Sequence, residues 1–155
     1  MTLEDTLSTY NYFLQRADTL GLAYIALMRY ASKLDLSYDA SGTLRATQHD
    51  VLASYRPSIK NTSLILNADV SPQEASKLIE EGKIDAAAFG WLFLSNPDLV
   101  ERLRKGVDLN YNVDVRTLYG GSTPGGEGES EGLERIKKGY SDYEFGNGTG
   151  VEVKA

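Results

Sequence analysis

The sequence Ser63-Leu-Ile-Leu-Asn-Ala-Asp-Val-Ser-Pro-Gln-Glu74 decides the fold class, and Asp85-Ala-Ala-Ala-Phe-Gly-Trp-Leu-Phe-Leu-Ser-Asn-Pro-Asp-Leu99 repeats its arrangement. Each stretch joins a short apolar run to a loop and then to a helix start. Ser71 supplies an N-cap, Pro72 the first helical position and Glu74 a capping-box carboxylate. The pattern predicts buried strands over 63–67 and 85–89, each followed by a helix. A helix N-terminus after a buried strand is also the geometry that binds phosphate.

A third unit of the same kind precedes this stretch. Apolar residues recur at helical spacing between Thr2 and Gly21, and predict a helix that the pair Thr2 and Asp5 caps. The apolar run 22–28 predicts a strand covered on both faces. A helix from Gln48 should end by Arg56, before a proline. About three strand–helix units in register predict an α/β fold with a parallel sheet.

Composition excludes several classes of function. The 155 residues, 41% of them hydrophobic, suffice for a packed domain, and a net charge of −6 without basic runs argues against nucleic acid or anionic membrane as a partner. With no cysteine and one histidine, disulfides and Cys- or His-rich metal sites are excluded within one chain. No secretory signal or membrane-length apolar run is visible, so a cytoplasmic protein is expected.

The combined motifs resemble the C-terminal part of the Old Yellow Enzyme family, the FMN-dependent ene-reductases built on a TIM barrel. The resemblance covers roughly residues 4 to 143. The stretches that carry it are Leu20–Tyr24, Ile65–Asn67, Phe89-Gly90, Ser95–Leu99, Arg116–Gly121 and Gly139–Tyr143. It implies that the three strands are the sixth, seventh and eighth of the barrel. Residues 1–119 then form a partial barrel domain, 120–132 a flexible acidic Gly-rich insertion, and 133–155 a C-terminal tail.

The resemblance also implies that much of the family's machinery lies elsewhere. The first five strands carry most contacts to the flavin ring, the His/Asn or His/His pair that binds the substrate carbonyl, and the proton-donating tyrosine. The chain therefore looks like a natural or constructed truncation. Three parallel strands cannot close a barrel, and both sheet edges would be open. We expect self-association as a homodimer, or a partner chain that supplies the missing half.

Two positions depart from the family pattern. The family binds the FMN phosphate on a Gly-rich loop after the seventh strand and on an arginine after the eighth. Here the loop is Asn67-Ala68-Asp69, and Trp91 stands at the arginine position. A carboxylate beside a dianion costs about 1 kcal/mol at 4 Å even in water, and a lost charge-assisted hydrogen bond costs roughly 1.5–3 kcal/mol. The expectation is a protein without cofactor or metal.

Eight residues are candidates for a site at the carboxyl ends of the strands. The proposed catalytic residues are Tyr140, His49, Asp69, Tyr30 and Arg29, and the proposed substrate contacts are Trp91, Asn67 and Tyr143. The structural alternatives are a capping or surface role for His49, helix capping for Asp69, and packing for the aromatic residues.

Three classes of function follow. The first is a flavin-independent isomerase or cyclase that acts on a conjugated, largely apolar metabolite, for which the resemblance points to fungal secondary metabolism. General acid–base groups in a shaped pocket would suffice for such a reaction. The second is an FMN-dependent ene-reductase completed by another chain. The third is a non-catalytic binding or assembly module.

Overall fold

Helices and strands alternate along the residues that the computed structural model describes, which are 1–31, 47–113 and 137–146. The chain divides into two units, Met1–Ala88 and Phe89–Ala155. The elements of the first unit are α1 (Leu3–Ala17), β1 (Tyr24–Met28), α2 (Val51–Tyr55), a 3-10 turn (Arg56–Ser58), β2 (Ser63–Asn67), α3 (Pro72–Glu80) and β3 (Ala86–Ala88). Those of the second unit are α4 (Trp91–Ser95) and α5 (Leu99–Lys105).

The three strands form one parallel sheet in the order β1-β2-β3, which confirms the predicted α/β class. Tyr24 pairs with Ser63 and Met28 with Asn67, and Asn67 also pairs with Ala88. In the described residues β2 is therefore the central strand. The strand ends at Met28, Asn67 and Ala88 lie in one row at the carboxyl edge of the sheet.

Helices α1, α2 and α3 cover one face of the sheet. The buried core consists of Leu14, Leu27, Leu52, Tyr55, Ile59, Leu64, Leu66 and Ile84. The opposite face stays open: Tyr24 is 57% exposed and Met28 is 59% exposed. The prediction that β1 is covered on both faces is therefore wrong for the described residues.

Local side-chain bonds explain where the element boundaries differ from the predicted ones. The helix expected from Gln48 begins at Val51, because the carboxylate of Asp50 caps it by accepting from Ala53 N at 2.9 Å. The strand expected over 85–89 covers only 86–88, and the carboxylate of Asp85 accepts from Leu64 N at 2.7 Å. Helix α4 is an addition that the sequence pattern does not predict. The predictions for 120–132 and most of the tail lie outside the described residues, so the domain division stays a prediction.

The described helices give no evidence of a membrane span, since none of them is both long and apolar enough to cross one.

The start of β2 is fixed by Asp18, which follows α1 and is 5% exposed. Its carboxylate accepts hydrogen bonds from three successive backbone N–H groups, those of Lys60, Asn61 and Thr62, at 2.9 to 3.1 Å. These bonds favour the ionised form, and the pKa of Asp18 falls from 3.8 to about 2, with the Lys60 amide the largest cause. The charged carboxylate thus ties α1 to the central strand.

Replacement of Asp18 by asparagine should destabilise the fold and remove part of its acid sensitivity. Because the pKa is lower in the folded state than in the unfolded state, this stabilisation is fully present above about pH 4 and is lost as the pH falls toward 2. Urea titrations at neutral pH and near pH 3 should show a lower midpoint for Asp18→Asn and a smaller drop between the two conditions. Asp108→Asn, at an exposed position, is the matched control. Equal pH dependence in wild type and Asp18→Asn would contradict this assignment.

Candidate functional site

The carboxyl ends of β1 and β2 bring together three of the predicted site residues, Arg29, Asn67 and Asp69. Arg29 directly follows β1, and its backbone N–H donates to the carbonyl of Asn67 at 3.0 Å. Asn67 is the last residue of β2, and Asp69 lies in the loop before α3. Tyr30, the neighbour of Arg29, is half-buried. In barrel enzymes functional groups collect at this end of the strands.

The guanidinium of Arg29 joins the loop 67–69 to the first turn of α3. It donates to Glu74 Oε1 at 2.7 Å and Oε2 at 2.9 Å, and to the carbonyls of Ala68 and Asp69. The bidentate bond lowers the pKa of Glu74 and raises that of Arg29, in both cases mainly through the hydrogen bond between the two side chains. We call Arg29, Glu74 and the two carbonyls the Arg29 cluster.

The loop 67–69 has an unusual backbone. Ala68 has a φ of 64° and Asp69 a φ of 48°, both in the left-handed region. The side chain of Asn67 turns back and accepts from Ala68 N at 2.7 Å. Asp69 is exposed, while Ser71 caps α3 by accepting from Glu74 N at 3.1 Å. The alternative of Asp69 as a helix cap is therefore wrong.

His49 bonds to Tyr55 of α2. Its Nδ1 is 2.8 Å from the carbonyl of Thr47, which requires Nδ1 to carry the proton. Nε2 then accepts from the hydroxyl of Tyr55 at 2.9 Å. Tyr55 is buried in the core, and burial raises its pKa. Because Asp50 caps α2, the capping alternative for His49 is wrong, and the imidazole joins the preceding loop to the core.

Removal of the Tyr55 hydroxyl should therefore cost stability. Tyr55→Phe leaves Nε2 of His49 without this donor, and we expect a loss of about 1–2 kcal/mol in the free energy of unfolding. Chemical denaturation followed by circular dichroism measures this loss. Tyr24→Phe, at a 57% exposed position, should change stability little. A Tyr55→Phe protein as stable as wild type would show that the bond contributes nothing.

The remaining three candidates lie in the second unit. Trp91 is the first residue of α4 and is half-buried. Tyr140 is 37% exposed and Tyr143 is half-buried. In the segment that contains the two tyrosines, Gly139 N donates to the carboxylate of Asp142 at 2.7 Å. Their roles in a site stay predictions.

The second unit contains a buried polar cluster that the sequence pattern does not predict. Asn96, which is fully buried, donates to the carbonyls of Leu92 and Asn110 at 2.8 Å and accepts from Asn110 N at 2.8 Å. Ser95 donates to the same Asn110 carbonyl at 2.7 Å. Both residues belong to the quoted Ser-Asn-Pro-Asp sequence, so the signal was present. The cluster fixes the segment after α5. The bonds described here all join residues of the second unit to one another, which indicates a structural role.

A second ion pair differs from what its spacing predicts. Asp98 and Arg102 are four residues apart on a helix, which is typical of a weak surface pair, but their side chains are only 10% and 11% exposed, and Nε and Oδ1 are 2.7 Å apart. Asp98 also accepts from Gly146 N at 2.9 Å, and Arg102 donates to the carbonyl of Glu144 at 3.0 Å. Burial opposes ionisation, yet these bonds lower the pKa of Asp98. The pair holds residues 144–146 against α5.

Within the described ranges, no group of three or more histidine, aspartate or glutamate side chains is placed to hold a metal ion.

Comparison with known proteins gives a consistent set of similarities, although no family model matches the chain. It is 33% identical over 129 residues to flavin oxidoreductase hxnT from Emericella nidulans, which covers 79% of this chain and 30% of that protein. It is 40% identical over 73 residues to the "Probable flavin mononucleotide-dependent alkene reductase" of Leishmania infantum, covering 47% of this chain and 16% of that protein. The structure of the old yellow enzyme from Trypanosoma cruzi matches 91% of this chain and 30% of its own, with a TM-score of 0.62 and 29% identity.

These similarities confirm the partial barrel and correct one expectation. The chain spans 30% or less of each of these three proteins, and it corresponds to part of a TIM barrel. The expectation of no cofactor is contradicted, because two of the relatives are named as a flavin oxidoreductase and a flavin mononucleotide-dependent alkene reductase.

Proposed function

We propose that this chain, which belongs to the Old Yellow Enzyme family, forms the part of an FMN-dependent ene-reductase that contains barrel strands six to eight. The observation that carries the proposal is the 33% identity to a flavin oxidoreductase over 79% of the chain. The partial barrel supports it, since the three strand ends lie together at the edge where barrel enzymes hold their ligands. The substrate class is a small, largely apolar molecule with a conjugated alkene.

The loop 67–69 does not by itself fit the phosphate of FMN. The amide of Ala68 is taken by the Asn67 side chain, and the guanidinium of Arg29 is neutralised by Glu74. Asp69 adds a negative charge at the same edge. No catalytic step is therefore assigned to this loop. The proposal places most contacts to the flavin on the strands that this chain does not contain.

The open face of the sheet indicates what the partner must cover. Tyr24, Ala26 and Met28 of β1 are exposed on the side away from the helices, and within the described residues β1 pairs only with β2. Parallel sheets are normally covered on both faces. We infer that the remaining strands of the barrel, in a segment or chain of the same family, pair with β1 and cover this face.

The two other functional classes have less support. The flavin-independent isomerase or cyclase in secondary metabolism depended on a cofactor-free site, and it loses its premise with the cofactor correction. A non-catalytic assembly module is the outcome that remains if the completed barrel takes up no flavin. The homodimer is the competing state of association.

Complementation tests the proposal directly. The chain is co-expressed with a tagged segment that carries the first five strands of flavin oxidoreductase hxnT, and the purified complex is examined for visible flavin absorbance and NAD(P)H oxidation with an enone. We expect a yellow complex that reduces the alkene, because the added strands supply the flavin contacts and bury the open face of the sheet.

Each alternative has its own result. A complex that forms without flavin would support the assembly module and overturn the enzyme proposal. A stable homodimer in light scattering that refuses the added segment would overturn the proposed partner. The segment expressed alone is the control for flavin binding that does not require this chain.

Asp69 and Trp91, the two residues that depart from the family's pattern for binding the FMN phosphate, predict how FMN affinity should respond to substitution. In the complex, Asp69→Gly together with Trp91→Arg removes a negative charge and adds a guanidinium, the group suited to phosphate. A charge-assisted hydrogen bond is worth roughly 1.5–3 kcal/mol, so the dissociation constant for FMN should fall about tenfold to a hundredfold. Quenching of FMN fluorescence on titration measures it.

The matched control carries Asp69→Gly with Phe93→Arg, which makes the same change in net charge two residues further along α4. Phe93 is exposed, and this control should bind FMN less tightly than the variant that carries Trp91→Arg. Equal affinities for the two variants would show that overall charge, and not the position of the new guanidinium, determines the effect.

A further inference from the structure

The loop 67–69 holds two consecutive residues other than glycine in the left-handed backbone region. Such residues are uncommon there because Cβ crowds the following carbonyl oxygen, and alanine has no polar side chain to compensate. Ala68, with a φ of 64°, is therefore the more unusual of the two. A backbone conformation of this kind persists only where surrounding bonds enforce it.

The Arg29 cluster supplies such bonds. The guanidinium donates to the carbonyls of both left-handed residues, Ala68 and Asp69. These carbonyl orientations depend directly on the backbone angles of the loop. The two terminal nitrogens of the guanidinium also donate to the two carboxylate oxygens of Glu74, at 2.7 and 2.9 Å. A planar guanidinium has a fixed fork of donors, so it transmits orientation as well as charge.

Glu74 is itself fixed by its helix. Its backbone N–H donates to the Ser71 hydroxyl that caps α3, and Ala75 beside it is buried. The end of β1, the loop after β2 and the first turn of α3 are thus connected through one side chain. Arg29 and Glu74 are 45 residues apart in the chain.

We propose that Arg29 is a positioning residue that holds residues 67–69 in their left-handed conformation and thereby shapes the carboxyl edge of the sheet. Glycine could adopt this backbone conformation without help. At Ala68 and Asp69 the bonds from Arg29, which Glu74 holds in place, stabilise it instead. The link to catalysis rests on the proposed function, which places the site at this edge. The conformational role does not depend on it.

A thermodynamic cycle on the chain itself tests the proposal. Arg29→Met removes all four guanidinium bonds and keeps an unbranched stem, and Ala68→Gly with Asp69→Gly relieves the loop. In the native loop, Arg29→Met should lower the folding equilibrium constant about tenfold to a hundredfold. With glycine at both positions, the same substitution should cost several-fold less, because the loop no longer depends on the bonds.

NMR measures the conformation of the loop separately from the stability of the fold. The one-bond Cα–Hα couplings and the intraresidue amide–Hα NOEs of Ala68 and Asp69 should report positive φ in wild type. In Arg29→Met they should shift toward ordinary backbone values while the remaining resonances stay in place. Arg104→Met removes a surface pair with Glu101 and should leave the loop signals unchanged.

If Arg29→Met does not fold, Glu74→Gln takes its place, since it removes the negative charge of the ion pair but keeps one side-chain oxygen as an acceptor for Arg29. Equal costs of the substitution in the native and glycine loops would overturn the proposal, as would unchanged loop signals. Flavin uptake by the complemented barrel is a separate measurement. The role of Arg29 in the loop can therefore be tested even if the completed barrel binds no flavin.

Discussion

The carboxylate of Asp18 is the contact on which the first unit depends. It accepts hydrogen bonds from three successive backbone N–H groups immediately before β2. One of these groups belongs to the buried Thr62, and a buried N–H group without a partner would cost stability. Within the described residues, β1 and β3 pair only with β2, so the position of β2 sets the register of the whole sheet. The register in turn aligns Met28, Asn67 and Ala88 at one edge. The alignment of these strand ends therefore depends on the Asp18 carboxylate, which lies at the opposite end of β2.

Local chemistry made the regular elements predictable. The apolar run at 63–67 and the sequence Ser71-Pro72-Gln73-Glu74 indicated β2 and the start of α3, because capping and burial act within a few residues. The open face of β1 could not be foreseen, since an apolar run does not say which of its faces has a neighbour. Asp98 and Arg102 illustrate the same limit: their spacing predicted a surface pair, while the segment that buries them follows 42 to 48 residues later.

The sequence predicted which candidate residues share a sheet edge better than it predicted their bonds, and their role in a site stays a prediction. Strand order places Arg29, Asn67 and Asp69 at one edge, and the structure finds them there. The ion pair with Glu74 joins residues 45 positions apart, and no periodicity encodes such a distance. The cofactor expectation failed for a related reason. Two unusual positions, Asp69 in the loop after β2 and Trp91 at the start of α4, were taken as enough to exclude FMN, while the relatives named as flavin enzymes extend well beyond the segment that this chain matches.

The buried Asn96 is followed in the chain by Pro97. Asparagine side chains age chemically when the next backbone nitrogen attacks the amide carbon and closes a succinimide ring, and the nitrogen of proline carries no hydrogen and is already fully substituted. The residue that holds the segment around Asn110 is therefore protected from deamidation by its neighbour as well as by its burial. The second unit keeps its internal polar connection over the lifetime of the molecule, where an exposed Asn-Gly pair would slowly acquire a negative charge.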